Sequence, residues 1–270
     1  KYELGAASSA VNYSFYLGAT NHNLEEIKKV NPNNVCGVKI FMGSSTGDML
    51  VDQPHALEGL FAHSPILIAT HCECESRVKA RFANSVAFFG EEIAPEEHPV
   101  IRDAEACYLS SSYAIELANK YDARLHILHI STEKETHLFR NDIPLAQKKI
   151  TAEVCVHHLH FCDRDYIKLG NLIKCNPAIK KESDRAALWE ALLDDRFDVI
   201  VNQITYAFIT RLAAGANTLE NSIGFTSYQN AFLTFILPHS VIAVSLVTAL
   251  LPRFSDLANS VEINNSGLEI

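Results

Sequence analysis

The chain has 270 residues, of which 48% are hydrophobic and 20% are charged, so it can bury a full core as one large α/β domain or two small ones. Its net charge of −9, without a run of Lys or Arg, argues against nucleic acid and against an anionic membrane surface as partners. Seven irregularly spaced cysteines are typical of reduced intracellular thiols rather than of a disulfide framework, which predicts a cytoplasmic location.

Strand-like and helix-like segments alternate over the first 200 residues. The chain opens on KYELGAASSA, which reads as the middle of a helix. The strand-like runs are VNYSFYLGAT, VCGVKIFM, ILIATHC, RLHILHI, KITAEVCVHH and FDVIV, and the helix-like segments include NLEEIKKV, EACYLSSSYAIELANKY and SDRAALWEALLDD. This alternation predicts a parallel sheet and favours a (β/α) barrel over a short open sheet. Eight units need about 250 residues, so we expect an incomplete barrel without one or two leading strands.

The composition changes near residue 200. All seven cysteines occur at or before Cys175, and no lysine follows Lys181. Between Glu220 and Arg253 there is no charged residue, and AFLTFILPHSVIAVSLVTALLP approaches the roughly 20 apolar residues that cross a bilayer. We therefore expect an apolar helical tail that contacts a membrane. A buried hairpin or helix of a soluble core is the alternative, because Pro238 and several Ser and Thr residues interrupt the run.

Polar residues recur where the predicted strands end, which is where a (β/α) barrel carries its chemistry. They are Lys39, His71, His129, His157 and His158. Each one alone has a structural explanation, as a hydrogen-bonded histidine or as a lysine that reaches solvent. Considered as a group, the four histidines predict a metal site, because neutral imidazoles are suitable ligands for Zn²⁺.

Lys39 needs a different role, because an ammonium group has no lone pair for a metal. If burial lowers its pKa, the free amine can react with CO₂ to give a carbamate that could bridge two metal ions. The Cys72-x-Cys74 pair beside His71 is weak evidence for zinc without a second pair, and incidental thiols are the favoured interpretation.

The stretch from about Tyr2 to Ile200 closely resembles dihydroorotase of the amidohydrolase superfamily. The motifs, in order, are VNYSFYLGATN, VCGVKIFMGSSTG, LIATHCE, HPVIRDAEACY, RLHILHIST, KITAEVCVHHL, LIKCNPAIK and DRAALWEAL. The resemblance implies a TIM barrel with two Zn²⁺ ions that reversibly hydrolyses dihydroorotate to N-carbamoyl-aspartate in pyrimidine biosynthesis. It also implies that Lys39 is the carboxylated bridging ligand, that His71 and His129 bind metal, and that Asn176 lies near the substrate.

Two features depart from this resemblance. The family's first strand ends in H-x-H-x-R, which the sequence does not contain and which we expect to precede residue 1. The family's last strand continues into T-D-H-A-P-H, whose Asp binds metal and moves a proton. Here VNQITYA follows, with Gln203 near the place of that aspartate. Because Gln cannot act as a general base, we expect no retained catalytic residue and little activity.

The segment after residue 200 resembles part of a lipid II flippase of the MurJ/MviN type, on YQNAF, LPHSVIAVS and TALLPR. The predicted organisation is therefore residues 1–200 as a partial dihydroorotase-like barrel, residues 201–259 as a foreign apolar helical segment, and residues 260–270 as an uninformative tail. A natural fusion and an assembly artefact both explain such a chain.

Three functional interpretations follow from these segments. The first is a dihydroorotase fragment with impaired chemistry. The second is a related cyclic amidohydrolase, dihydropyrimidinase or allantoinase. The third is a non-catalytic, membrane-associated barrel fragment. The sequence leaves the metal and the oligomeric state open.

Overall fold

The computed structural model describes residues 1–9, 12–43 and 47–201, and these form a single structural unit. Gln203, nearly all of the predicted apolar segment 201–259 and the tail 260–270 lie outside the described residues, so the expectations for them remain predictions. Within the described ranges, none of the helices combines the length and the apolar character that crossing a bilayer requires.

A six-stranded parallel sheet is the centre of the fold. The strands are β1 (Tyr16–Gly18), β2 (Gly37–Phe41), β3 (Ile68–His71), β4 (Leu125–Ile130), β5 (Ile150–Cys155) and β6 (Val199–Val201). Each strand pairs in parallel with the next one along the chain, in the order β1 to β6. Sequential parallel strands joined by helical crossovers form the wall of a (β/α) barrel, so the described strands fit a partial barrel.

Ten α-helices and five 3₁₀ turns connect and flank the strands. The α-helices are α1 (Tyr2–Ser8), α2 (Leu24–Lys28), α3 (Pro54–His63), α4 (Glu75–Phe89), α5 (His98–Ile101), α6 (Ala104–Tyr121), α7 (Glu133–Thr136), α8 (Val156–His160), α9 (Tyr166–Leu169) and α10 (Glu182–Leu193). The 3₁₀ turns are Gly47–Met49, Pro95–Glu97, Leu145–Gln147, Asp163–Asp165 and Gly170–Ile173. The helix count, like the strand count, refers to the ranges that the structure describes.

Helix α6 shows how local sequence sets these boundaries. It begins after Asp103, whose side chain accepts a hydrogen bond from the Ala106 amide at 2.9 Å and so satisfies a helix donor that would otherwise lack a partner. It ends at Asp122, which adopts the left-handed conformation (φ 55°) that frequently ends helices. The buried positions recur at helical spacing. Ala114, Leu117 and Ala118 pack into the main core cluster, whereas Ala106 packs with Val78 and Ile101.

The core lies between the sheet and the helices that cover it. Val38, Ile40, Ile68, Leu125, Ile127 and Val154, all from strands, are completely buried in it. Leu60 and Phe61 of α3 and Leu188 of α10 pack into the same cluster. Apolar side chains from the strands therefore hold the sheet against its helices, and the sheet fixes where the strand ends lie.

The boundaries differ from the sequence prediction at two strands. The predicted strand VNYSFYLGAT contains only three strand residues, Tyr16–Gly18. The run KITAEVCVHH is a strand only as far as Cys155, and His157 and His158 lie in α8. The two histidines thus follow a strand end, but a helical turn sets the direction of their side chains.

Candidate functional site

The site begins with three polar residues on three adjacent strands. Lys39 lies in β2, His71 is the last residue of β3, and His129 is near the end of β4. In the register of β2 and β3, His71 pairs with Phe41, two positions after Lys39. Since side chains two positions apart share a face of the sheet, Lys39 and His71 project to the same side.

The structure brings His71 and His129 into direct contact. The distance from His71 Nδ1 to His129 Nε2 is 3.1 Å, and the ring centroids are 4.8 Å apart. Only 4% of His71 and 6% of His129 is exposed. Burial lowers the pKa of both imidazoles, and the positive charge of Lys39 lowers each of them further. Both histidines are therefore neutral at pH 7, which is the form that binds metals.

A buried carboxylate orients His71. His71 Nε2 lies 2.9 Å from Glu73 Oε2, and Arg102 Nη1 donates to the same oxygen at 2.6 Å. Burial alone would raise the pKa of Glu73, but the hydrogen bond from His71 and the positive charge of Arg102 lower it to about 2. Glu73 is thus ionised and accepts a hydrogen bond from the N–H at Nε2, which leaves the lone pair of His71 on Nδ1, the atom that faces His129.

An irregularity in β4 positions His129. The pairing of β4 with β5 shifts register between Ile127 and Ile130, and His129 has a φ of 44°. A non-glycine residue in this region costs about 1–3 kcal/mol. The amide of His129 donates to Glu153 Oε1 at 3.1 Å, and His126 Nε2 lies 3.3 Å from the other oxygen of Glu153. Glu153 therefore supports the unusual backbone that directs the His129 ring toward His71.

Lys39 has the properties of a reactive amine. Burial lowers its pKa to about 8, and Nζ lies 4.4 Å above the centre of the Phe41 ring. An amine with that pKa is about one tenth unprotonated at pH 7. Its charge acts on both His71 and His129, so it belongs to the same electrostatic environment.

The two imidazoles fit a metal ion. Two nitrogens bound to one tetrahedral Zn²⁺ at about 2.0–2.1 Å lie about 3.3–3.4 Å apart. The observed separation of 3.1 Å between His71 Nδ1 and His129 Nε2 is close to that spacing. A carboxylate behind one imidazole is also the arrangement that typically fixes the tautomer of a metal-bound histidine.

The structure places the other sequence candidates less close to this pair. Asn176 is exposed, and the pairing of its side chain with a substrate remains a prediction. Cys72 is buried and its Sγ donates to Thr70 Oγ1 at 3.2 Å, whereas Cys74 Sγ contacts Ser76 Oγ at 3.4 Å. Within the described ranges, no group of potential metal ligands includes Cys72 or Cys74.

Sequence reasoning missed Glu73, Arg102 and Glu153 as supporting residues. Glu73 was detectable, because it follows His71 by two positions and an ionisable residue at the end of an apolar strand needs a partner. The partners Arg102 and Glu153 lie 29 and 24 positions from the residues they contact. Only the folded sheet reveals those two contacts.

Comparisons with known proteins agree with this fold. No family model matches the chain. An allantoinase of Deinococcus radiodurans is 28% identical over 208 residues, which are 74% of this chain and 45% of that protein. A dihydroorotase of Bacillus subtilis is 42% identical over 84 residues, which are 31% of this chain and 19% of that protein. The chain spans less than half the length of these relatives.

Solved structures resemble the described fold. An L-hydantoinase (dihydropyrimidinase) from Arthrobacter aurescens superposes with a TM-score of 0.63 at 21% identity and covers 71% of this chain and 43% of that one. A D-hydantoinase superposes with a TM-score of 0.63 at 20% identity and covers 74% of this chain and 46% of that one. The shared element is the fold, a parallel α/β sheet with the strand order of a partial TIM barrel.

Proposed function

We propose that this chain is a member of the amidohydrolase superfamily and carries part of the machinery of a metal-dependent cyclic amide hydrolase. The observation that carries the proposal is the buried contact between His71 Nδ1 and His129 Nε2 at 3.1 Å, with Glu73 behind His71. Lys39, His71 and His129 are the proposed metal ligands, and Zn²⁺ is the proposed metal.

Each of these residues has a separate task. Glu73 keeps the proton of His71 on Nε2, and the strained backbone at His129 directs its ring to the same point. The unprotonated amine of Lys39 forms a bond to the carbon of CO₂ and loses a proton, and the resulting carbamate supplies oxygen ligands. A bound metal ion supplies hydroxide near neutral pH and polarises the amide carbonyl.

Dihydroorotate, with N-carbamoyl-aspartate as product, is the first proposed substrate, and Asn176 is the proposed substrate contact. The order of the motifs from VNYSFYLGATN to DRAALWEAL supports it, as does the short but more similar stretch shared with the Bacillus subtilis dihydroorotase. Allantoin or a dihydropyrimidine is the alternative substrate. The longer similarity to an allantoinase and the superposition on hydantoinases favour that alternative.

We propose low turnover for the chain as it stands. The resemblance puts Gln203 near the position of the family's aspartate, and a glutamine cannot act as a general base. Loss of a general base alone typically lowers the rate 10²- to 10⁴-fold. A non-catalytic barrel fragment with a membrane-associated tail is the third hypothesis, and metal content separates it from the dihydroorotase-like hypothesis.

Metal binding tests the proposal directly. Metal-free protein, reconstituted with Zn²⁺ in bicarbonate buffer, is expected to retain zinc through gel filtration. The variants His71→Asn and His129→Asn should each lower the number of zinc ions that a chain retains, because each removes a proposed ligand, and zinc bound elsewhere in the chain is unaffected. His63→Asn is the matched control, because His63 is exposed at the end of α3. An equal number of zinc ions per chain in wild type, His71→Asn and His129→Asn would contradict the assignment.

Turnover tests the choice of substrate. The zinc-loaded protein is assayed with dihydroorotate, allantoin and hydantoin under the same conditions. Hydrolysis of one ring above the others assigns the substrate class, and rates at the level of the His71→Asn variant on all three favour the non-catalytic hypothesis. Turnover of about 1–10³ per second would refute the proposed loss of a catalytic base.

A further inference from the structure

A second group of potential metal ligands lies at the end of β5. Cys155 is the last residue of that strand, and His157 and His158 occupy the first turn of α8. The thiol sulfur and one imidazole nitrogen from each histidine all lie within 4.8 Å of one another. All three residues are buried, and the two imidazole rings are 4.3 Å apart between centroids.

The hydrogen bonds of His158 show which of its nitrogens is available. Its Nε2 lies 3.1 Å from the carbonyl oxygen of Pro177. A carbonyl oxygen only accepts, so Nε2 carries the proton and the lone pair of the neutral ring is on Nδ1. That Nδ1 is buried and has no hydrogen-bond partner among the described residues. A backbone carbonyl behind one imidazole nitrogen is a typical support for a metal-binding histidine.

His157 also has a buried ring nitrogen without a hydrogen-bond partner. Only 5% of this residue is exposed, and its Nδ1 is a buried atom that lacks a partner in the described part of the chain. Two buried imidazoles with unused nitrogens beside one thiol are unfavourable in a purely structural core, because buried polar atoms need partners.

The donor set and its spacing suit a borderline-soft cation. A thiolate and neutral imidazoles are the ligands that bind Zn²⁺ and similar ions. Bond lengths of about 2.3 Å to sulfur and 2.0–2.1 Å to nitrogen imply ligand atoms about 3.3–3.6 Å apart in a tetrahedral site. Distances of up to 4.8 Å therefore require shifts of only about an ångström.

We propose that Cys155, His157 and His158 form a second metal site, distinct from the site of Lys39, His71 and His129, for a divalent cation of the Zn²⁺ class. The cation binds the Cys155 sulfur and one nitrogen of each histidine, and its fourth position is open to a non-protein ligand. Binding releases the thiol proton of Cys155 to solvent. The site shares no residue with the other set of ligands and does not depend on the proposed function.

Cobalt spectroscopy tests this site, because Co²⁺ replaces Zn²⁺ and reports a sulfur ligand. Metal-free, reduced full-length protein is titrated with Co²⁺, and a near-ultraviolet sulfur-to-cobalt charge-transfer band is expected to saturate with one cation per chain. The site of Lys39, His71 and His129 contains no sulfur. The band should therefore persist in a His71→Asn/His129→Asn double variant.

Variants that change one residue at a time test which side chains bind the cation. Cys155→Ser should abolish the charge-transfer band, and Cys74→Ser, which removes a partly buried thiol outside the cluster, should keep it. His158→Gln should weaken cobalt binding by at least about tenfold, and it keeps an amide donor for the Pro177 carbonyl. Circular dichroism checks that each variant is folded.

Four results would overturn the proposal. Three concern the charge-transfer band: its absence in the wild type, its persistence in folded Cys155→Ser, and its loss in Cys74→Ser. The fourth concerns the affinity of His158→Gln for cobalt. If Cys155→Ser does not fold, the cobalt titrations of the wild type and of His158→Gln show whether the proposed site binds the cation. Wild-type cobalt affinity in folded His158→Gln would exclude His158 as a ligand and so overturn the site as proposed.

Discussion

Replacing Glu73 by Gln is expected to destabilise the protein strongly. Glu73 is fully buried and bonds both His71 Nε2, at 2.9 Å, and Arg102 Nη1, at 2.6 Å, while only 17% of the Arg102 side chain is exposed. Removing one partner of a buried ion pair typically costs 3–5 kcal/mol, because the remaining charge stays buried without compensation. Gln keeps the shape and one acceptor oxygen, so we expect about 3 kcal/mol, the lower end of that range.

Urea denaturation of metal-free protein at pH 7.5 measures this loss as a change in the free energy of unfolding. Glu105→Gln is the matched control, since Glu105 pairs with Lys134 at 2.7 Å on an exposed surface, and such pairs contribute about 0–1 kcal/mol. Arg102→Met combined with Glu73→Gln should cost less than the sum of the two single variants. A loss in Glu73→Gln no larger than that in Glu105→Gln would refute the buried-pair argument.

Three further changes test the fold and its titration. Burial lowers the pKa of His98 from 6.5 to about 4, so the stability that its neutral form contributes is complete above pH 6.5 and is lost as the pH falls toward 4. Its share of the loss that urea denaturation measures between pH 7.5 and 5 should be about 2 kcal/mol. Other buried histidines with a lowered pKa add to the total loss, and His98→Gln should reduce that total by about the share of His98. Asp103→Ala removes both the cap that accepts from Ala106 N and the ion pair with Arg77, and it should lower the free energy of unfolding by about 1–2 kcal/mol. Asp103→Asn can still cap but loses the charge that pairs with Arg77, so it should lower the free energy of unfolding less. Ile127→Ala opens a cavity in the core and should cost about 2–5 kcal/mol, against about 0.5–1.5 for Ile127→Val, as measured by thermal denaturation.

The elements that the sequence predicts best are those that local chemistry determines. EACYLSSSYAIELANKY and SDRAALWEALLDD predict α6 and α10, since both segments combine helix-forming residues with an apolar face. The parallel sheet follows from apolar runs alternating with helices, and β2 to β6 each lie within a predicted run. The strand-end position of His71 follows in turn from those runs, whereas the same prediction is wrong for Lys39, which lies in the middle of β2.

Contacts that depend on the whole sheet are not visible in the sequence. Nothing near His129 predicts its positive φ, because that backbone is stabilised by Glu153 from the neighbouring strand. The run KITAEVCVHH looks like one strand, whereas the chain turns into α8 after Cys155. This turn brings the two histidines near the Cys155 sulfur, and a spacing rule for strands would place them on opposite faces.

The unfavourable features of this structure concentrate at one edge of the sheet, where β3, β4 and β5 end. There the backbone of His129 has a positive φ, which is an energetically costly conformation. Glu73 is charged and buried beside Arg102, which is largely buried. Three imidazole nitrogens, from His129, His157 and His158, lack hydrogen-bond partners among the described residues. The body of the same sheet packs apolar side chains that are completely buried. A sequence selected for stability alone would extend that apolar core to the strand ends, because each strained residue costs about 1–3 kcal/mol and each unpaired buried polar group about as much. Ligand binding at this edge would supply the missing partners, so the distribution of these costs is an independent argument, separate from any resemblance, that the strand ends are the functional part of the chain.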